Sequence, residues 1–130
     1  MALSGLPALA CGHCVEDKIA AVYDYATVMR AHAQKHHIAF FAINGPLALD
    51  AGTRRAIQAR AESAHGVDKG SARVSVEAAA LSVAYDPQRV PLSVVQKALE
   101  QTLTAKKLSL SILQVMAGPS RPPSSVTKVD

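Results

Sequence analysis

The two cysteines of the chain stand in the tetrapeptide Cys11-Gly12-His13-Cys14, and they are the residues best suited to do chemistry. Two thiols at this spacing can converge on a soft metal ion such as Cu(I), or they can close a disulfide. The thiolate is the reacting species in both cases, and a helix start and a neighbouring histidine both favour it. We therefore predict that Cys11 and Cys14 bind a metal ion with support from His13. Copper, as Cu(I), is the first choice, and other soft or divalent metals also fit.

Thiol–disulfide exchange is the rival chemistry for this motif, because Cys-Gly-His-Cys is also the active-site tetrapeptide of protein disulfide isomerases. A thioredoxin fold places a strand directly before the motif. Here only the short segment of residues 6 to 10 stands in that place, and Ala10 replaces the expected aromatic residue. The sequence contains no glycine-rich phosphate loop, GxSxG or HExxH. We expect a protein that is not an enzyme. A thiol oxidoreductase and a non-catalytic assembly module are the alternatives.

The remaining histidines are less well placed for a metal ion. His32 and His36 have the four-residue spacing of one helical face, and His37 follows them. About 20 residues of helix, or roughly 30 Å, separate them from the cysteines. One ion therefore cannot reach both groups unless chains associate head to tail or the helix breaks. We expect these histidines to interact with the carbonyl groups at a helix end, and His65 to lie at another helix cap.

The first ten residues, MALSGLPALA, carry no charge and end in a small-x-small triplet directly before Cys11. Such a triplet is typical of the end of a secretory leader. We expect residues 1 to 10 to be the remnant of a signal peptide and the protein to be periplasmic or secreted, with a cytoplasmic protein as the alternative. After cleavage, the Cys11 amine, two amides and the His13 imidazole would suit Cu(II) or Ni(II).

A helix is predicted to position the cysteines. Apolar residues recur every three or four positions from Val15 to Ala33, which predicts one long helix over roughly residues 13 to 35. Met29 lies on this apolar stripe and is expected in the core. Because no other layer is available to bury the stripe, we expect the helix to pack on the open face of a sheet or to mediate a homodimer.

The chain from residue 37 onward predicts the order β-α-β-β-α-β, from apolar runs and turn formers. The predicted elements are a strand at 37–44, a helix at 53–65, strands at 72–76 and 81–85, a helix with Pro91 in its first turn, and a strand at 108–112. The predicted fold is therefore α+β, a ferredoxin-like βαββαβ sandwich preceded by one long N-terminal helix. The predicted segments are the leader remnant (1–10), the CxxC-headed helix (11–36), the ferredoxin-like domain (37–116) and a disordered tail (117–130).

Three features between residues 38 and 103 carry a family resemblance: a strand running into Gly45, a helix ending in His65-Gly66-Val67, and a hairpin ending in Tyr85-Asp86-Pro87. With the next helix along the chain, this segment resembles a heavy-metal-associated domain, the family of small copper chaperones and mercury carriers. The resemblance implies the fold and, by association, metal exchange with a donor or acceptor protein. The CxxC of that family lies between the first strand and first helix. Here that loop has no cysteine, so no ligand carries over to it.

Composition excludes two further classes. The chain has 130 residues and a formal net charge of +4, but its basic side chains are interspersed with acidic ones, and aromatic residues make up only 4%. A nucleic-acid binder concentrates its positive charge and stacks bases on aromatic rings, so we expect no nucleic-acid partner. No apolar run approaches the roughly 18 to 20 residues of a membrane span, so we expect none.

Overall fold

The computed structural model describes residues 15 to 117. The predicted leader remnant, the Cys11–Cys14 motif and nearly all of the predicted tail lie outside the described residues. The elements are α1 (residues 15–22), α2 (Tyr25–Ala33), β1 (His37–Asn44), α3 (Ala51–Glu62), β2 (Arg73–Ser75), β3 (Ala80–Tyr85), α4 (Leu92–Leu103) and β4 (Ser109–Met116). A short 3-10 turn, Thr104–Lys106, joins α4 to β4.

The four strands form one antiparallel sheet in the order β2-β3-β1-β4. The central strand β1 pairs with β3 through contacts such as Phe40 with Ser82, and with β4 through contacts such as Ile43 with Leu110. Successive side chains of a strand point to opposite faces, so a slip of one residue would turn every side chain to the other face. The strand order and the two crossover helices confirm the predicted ferredoxin-like α+β fold.

The two inner strands, β1 and β3, are buried on both faces of the sheet, and neighbouring residues of β1 belong to different cores. Phe41 points into the main core with Ile57 of α3 and Leu99 of α4. Phe40 points to the opposite face, where it packs in a second core with residues of α1, α2, β1 and β3, namely Val22, Val28, Ala31, Ile38, Ala80 and Ala84. The N-terminal helical segment therefore packs on the open face of the sheet, which was one of the two predicted arrangements.

The prediction of one long N-terminal helix is wrong, because the helix breaks between α1 and α2. Asp24 has extended backbone and caps α2, accepting hydrogen bonds from the backbone N–H of Thr27 at 3.0 Å and from the Thr27 hydroxyl. A short carboxylate satisfies amides that would otherwise stay unpaired at a new helix start. The break rotates the buried face of α2, which now presents Thr27, Val28 and Ala31. Met29, predicted in the core, is consequently 47% exposed.

Other boundaries differ from the predictions by a few residues. α3 begins at Ala51, two residues early, because Asp50 caps it. Pro91 is the residue that precedes α4, not a member of its first turn. β4 continues to Met116 because a register shift opposite Phe40 and Phe41 lets the strand bend and resume its pairing with β1.

Candidate metal centre

The helix that comes after the cysteine motif is fixed to the sheet at two points. The ammonium of Lys18 donates hydrogen bonds to the carbonyl oxygens of Ala78 and Ala79, in the turn between β2 and β3. The hydroxyl of Ser82, a buried residue of β3, donates to the carbonyl oxygen of Val22 at 2.9 Å. These hydrogen bonds thus fix the position of the described part of α1 on the sheet. The predicted ligands Cys11, His13 and Cys14 lie outside the described residues, so their positions are not part of this geometry.

The loop between β1 and α3 has no side chain that is free to bind a soft metal. Gly45 opens it at φ +122°, and a Cβ there would lie 2.6 Å from the carbonyl oxygen of Lys107. Asp50 closes the loop by accepting the backbone N–H of Thr53 at 2.7 Å. This backbone hydrogen bond, followed by one from the Thr53 hydroxyl, holds the pKa of Asp50 below its ordinary value. The residues between are Pro46, Leu47, Ala48 and Leu49.

His36 links α2 to the main domain and does not cap the helix. Its Nδ1 lies 2.6 Å from an Asp68 carboxylate oxygen, and its Nε2 lies 3.7 Å from one of Asp86. The predicted role of a ring bonded to helix-end carbonyls is wrong for His36. α2 ends at Ala33, and the backbone N–H of His36 already donates to the Ala31 carbonyl at 2.8 Å. The backbone satisfies the helix end, which leaves the imidazole free for long-range partners.

The other histidines do not join His36 in a metal site. His37 meets the Tyr85 ring edge-on, with ring centroids 5.8 Å apart. Burial first, then the neighbouring His32, lowers the pKa of His37. The Nε2 atom of His32 is buried and has no hydrogen-bond partner among residues 15 to 117. His65 is exposed at the surface. Within the described part of the chain, no three His, Cys, Asp or Glu side chains are placed to hold a metal ion.

Sequence reasoning missed the His36 contacts because nothing local indicates them. Asp68 is 32 residues away along the chain and lies in the loop between α3 and β2. Asp86 was visible only as a turn former after β3.

Among residues 15 to 117, no helix is long and apolar enough to span a membrane.

Comparisons with known proteins found similarity to solved structures. No family model matches the sequence, and no curated protein matches it. The chain is similar to a copper binding domain from a P-type ATPase, with TM-score 0.48 and 19% identity over 61% of this chain and 96% of that one. It is also similar to oxidized MerP from Ralstonia metallidurans, with TM-score 0.47 and 15% identity over 61% and 99% of the two chains.

A third similar structure is the CopZ metallochaperone, with TM-score 0.43 and 22% identity over 57% of this chain and 98% of that one. The fold itself follows from the strand order β2-β3-β1-β4 and its two crossover helices.

Proposed function

We propose that the protein binds a soft metal ion, copper first, through the thiolates of Cys11 and Cys14 with His13 in support. It acts as a carrier or a sequestering protein, without catalysing a reaction. The observation that carries this proposal is the position of the motif. The only two cysteines of the chain stand directly before α1, and α1 is bonded to the sheet by Lys18 and Val22. A pair of thiols ahead of an anchored helix is a suitable start for a two- or three-coordinate Cu(I) site.

The rest of the described chain supports this assignment by elimination. The loop at residues 45 to 50 offers one carboxylate, and that group caps α3. Hard oxygen ligands of this kind suit Mg²⁺ or Ca²⁺ better than Cu(I), which prefers sulfur. The two ring nitrogens of His36 contact the carboxylates of Asp68 and Asp86. Cys11 and Cys14 supply the only thiols of the sequence, and thiolates are the ligands that this proposal assigns to the ion and to its exchange with a donor or acceptor protein.

The compartment belongs to the same proposal. The Ala8-Leu9-Ala10 triplet before Cys11 supports export to the periplasm or outside the cell. An oxidising compartment would close the two thiols into a disulfide unless a metal ion protects them, so metal loading and thiol oxidation compete for the same pair.

An anaerobic Cu(I) titration of the reduced full chain against a coloured chelator tests the proposal. We expect one tightly bound ion per chain, and loss of tight binding in the Cys11→Ser, Cys14→Ser double variant with an unchanged circular dichroism spectrum. The His65→Asn variant is the matched control, because His65 is exposed and should leave the affinity unchanged. Tight binding that survives in the double variant would overturn the assignment. Absence of binding in the reduced wild type, with a measurable reduction potential in a glutathione buffer, would favour thiol exchange.

A further inference from the structure

We propose that the outer edge of β4 is a self-association surface, on which residues 112 to 116 pair in antiparallel fashion with the same residues of a second copy of this chain. The four-stranded sheet then continues across a twofold axis into the sheet of the second copy. The pairing uses described residues only and needs no metal ion, so it is independent of the proposed function.

β4 is an edge strand that lacks the features by which proteins usually keep an edge from pairing. Those features are charged side chains, prolines or a very short strand. The other edge strand, β2, has three residues and carries Arg73. β4 has eight residues, Ser109–Met116, and none of them is charged or a proline. Among residues 15 to 117, no strand lies beyond β4, so this edge is open to a further strand.

Side chains of α4 close the first part of this edge. The backbone N–H of Leu110 donates to the Glu100 carboxylate at 2.9 Å, and the Leu110 carbonyl oxygen accepts the side-chain amide of Gln96 at 3.1 Å. Both backbone groups of Leu110 therefore point away from β1 and are already bonded. An incoming strand can begin to pair only at Ile112.

The next outward-pointing backbone groups belong to Ile112 and Val115. The backbone groups of successive strand residues alternate in direction, so those of Ile112 point outward like those of Leu110. The register shift then adds one residue to β4. Val115 is the next outward position, because its partner Ala39 is four residues from Ile43, whose N–H donates toward β3 and not toward β4. Ile112 is 46% exposed, so a second strand can reach this edge.

The charge of the edge favours a second copy over a different partner. In a twofold contact a surface meets itself, so a charged side chain near the axis would face a like charge. The formal net charge of +4 makes two copies repel each other in general. The segment Ile-Leu-Gln-Val-Met at residues 112 to 116 carries no charge and can approach its own copy. A different partner would be selected by complementary charges, which this edge does not offer.

One register satisfies both outward positions at the same time. Ile112 pairs with Val115 of the second copy, symmetry repeats this pair, and each pair exchanges two backbone hydrogen bonds. The twofold axis then passes between Leu113 and Gln114. The additional residue of one strand lies opposite that of the other, so two irregular edges that would pair poorly with a regular strand fit each other.

A groove beside β4 adds side-chain area to this surface. It lies on the open face of the sheet, between residues 16 to 23 and the end of β4, and its lining residues are Glu16, Ile19, Ala20, Tyr23, Gln114 and Met116. Tyr23 is 43% exposed, so much of its ring is left to bury. Because the axis is perpendicular to the joined sheet, the grooves of both copies open on the same face and meet there.

Sedimentation equilibrium of the reduced, metal-free full chain over a concentration series tests the proposal. Gln114→Lys places an ammonium group of each copy beside the axis, so the dissociation constant of the dimer should rise at least about tenfold, with unchanged circular dichroism. The matched control is Gln101→Lys, the same substitution at an exposed residue of α4, which should change the constant less than about twofold. A chain that stays monomeric up to millimolar concentration, or equal constants for the two variants, would overturn the proposal.

Amide hydrogen exchange shows which strand covers the edge. The N–H of Leu110 is bonded to Glu100 and should be protected at every concentration. The amides of Ile112 and Val115 should gain protection only as the dimer forms. If both are already protected in the monomer, another segment of the same chain covers the edge and the proposal fails. Since no copper is present, failure of metal binding leaves these results as expected, and a monomeric chain leaves the copper titration unaffected.

Discussion

The two cores on either face of the sheet can be tested separately through two adjacent residues. Phe40 and Phe41 are both fully buried. Phe40 packs against the N-terminal helices, and Phe41 packs against α3 and α4. Truncation of each to alanine removes the same atoms from the same strand, so the pair forms its own matched control. The difference between the two variants reports which layer each side chain supports.

The expected costs differ because the cores differ in size. Truncation of a buried phenylalanine to alanine costs about 3 to 5 kcal/mol, depending on how far the surroundings collapse into the cavity. The core around Phe40 is the smaller one, and it is covered by two short helices that can move toward the sheet. We expect Phe40→Ala to lower the free energy of unfolding by about 3 kcal/mol and Phe41→Ala by about 5 kcal/mol, because Phe41 packs against α3 and α4 in the larger core. A domain of this size is stable by only about 5 to 15 kcal/mol.

Denaturant unfolding gives the global cost, and native-state hydrogen exchange shows where the protection is lost. In Phe40→Ala, amides of α2 should lose protection while the ladder between β1 and β3 keeps most of its own, since stability is distributed over partly independent units. In Phe41→Ala, protection should fall throughout. If both variants lower the protection of α2 and of the ladder by equal amounts, the two layers unfold as one unit and the reasoning from separate cores fails.

Two further predictions concern the ends of the sheet. Gly45→Ala should lower the melting temperature more than Gly70→Ala. Both glycines have positive φ, but only at Gly45 would a Cβ meet a backbone atom, the Lys107 carbonyl oxygen at 2.6 Å, whereas Gly70 faces open space. Equal shifts of the melting temperature would contradict this. The pKa of His37 is lowered from its ordinary value of 6.5 mainly by burial, so its contribution to stability is fully present above that value and is lost as the pH falls below it. Urea midpoints from pH 8 to 5 should therefore fall less steeply for His37→Phe, and an identical slope would contradict it.

Much of the sheet could be predicted because its signals are local. β1 occupies the predicted residues 37 to 44, where an apolar run ends at a Gly-Pro turn. The strand β3 was expected from the alternation of Leu81, Val83 and Tyr85, and all of its residues are buried. A short apolar run or an alternation of apolar residues indicates a strand whichever elements come next in the chain. These local patterns were therefore enough to predict β1 and β3.

The break in the N-terminal helix could not be predicted from periodicity. The apolar stripe continues across Asp24 without a gap, and a helix of 3.6 residues per turn accommodates it. The side chain of Asp24 causes the break, because it caps a new helix and lies 3.4 Å from the guanidinium of Arg73. That ion pair spans 49 residues of chain. A local cap supported by a distant partner overrides a favourable pattern.

The coverage of the open face explains why α1 and α2 belong to the fold. Ile38 and Phe40 point to that face and are almost completely buried, so a domain of residues 37 to 116 alone would expose them to water. Burial of one such side chain contributes about 1.5 to 3 kcal/mol, a large share of the stability of a small domain. The helices α1 and α2 are therefore required by the sheet and are not an appendage to it.

A metal ion held ahead of α1 would act on the same layer. A ligand that binds only the folded state stabilises it by RT ln(1 + [L]/Kd), about 2.7 kcal/mol at one hundred times the dissociation constant. The proposed ligands precede residues 15–22 in the sequence, and this described part of α1 is fixed to the sheet through Lys18 and Val22. Under the proposed function, binding would therefore stabilise the smaller of the two cores first. Release of the ion to a partner would remove that stabilisation.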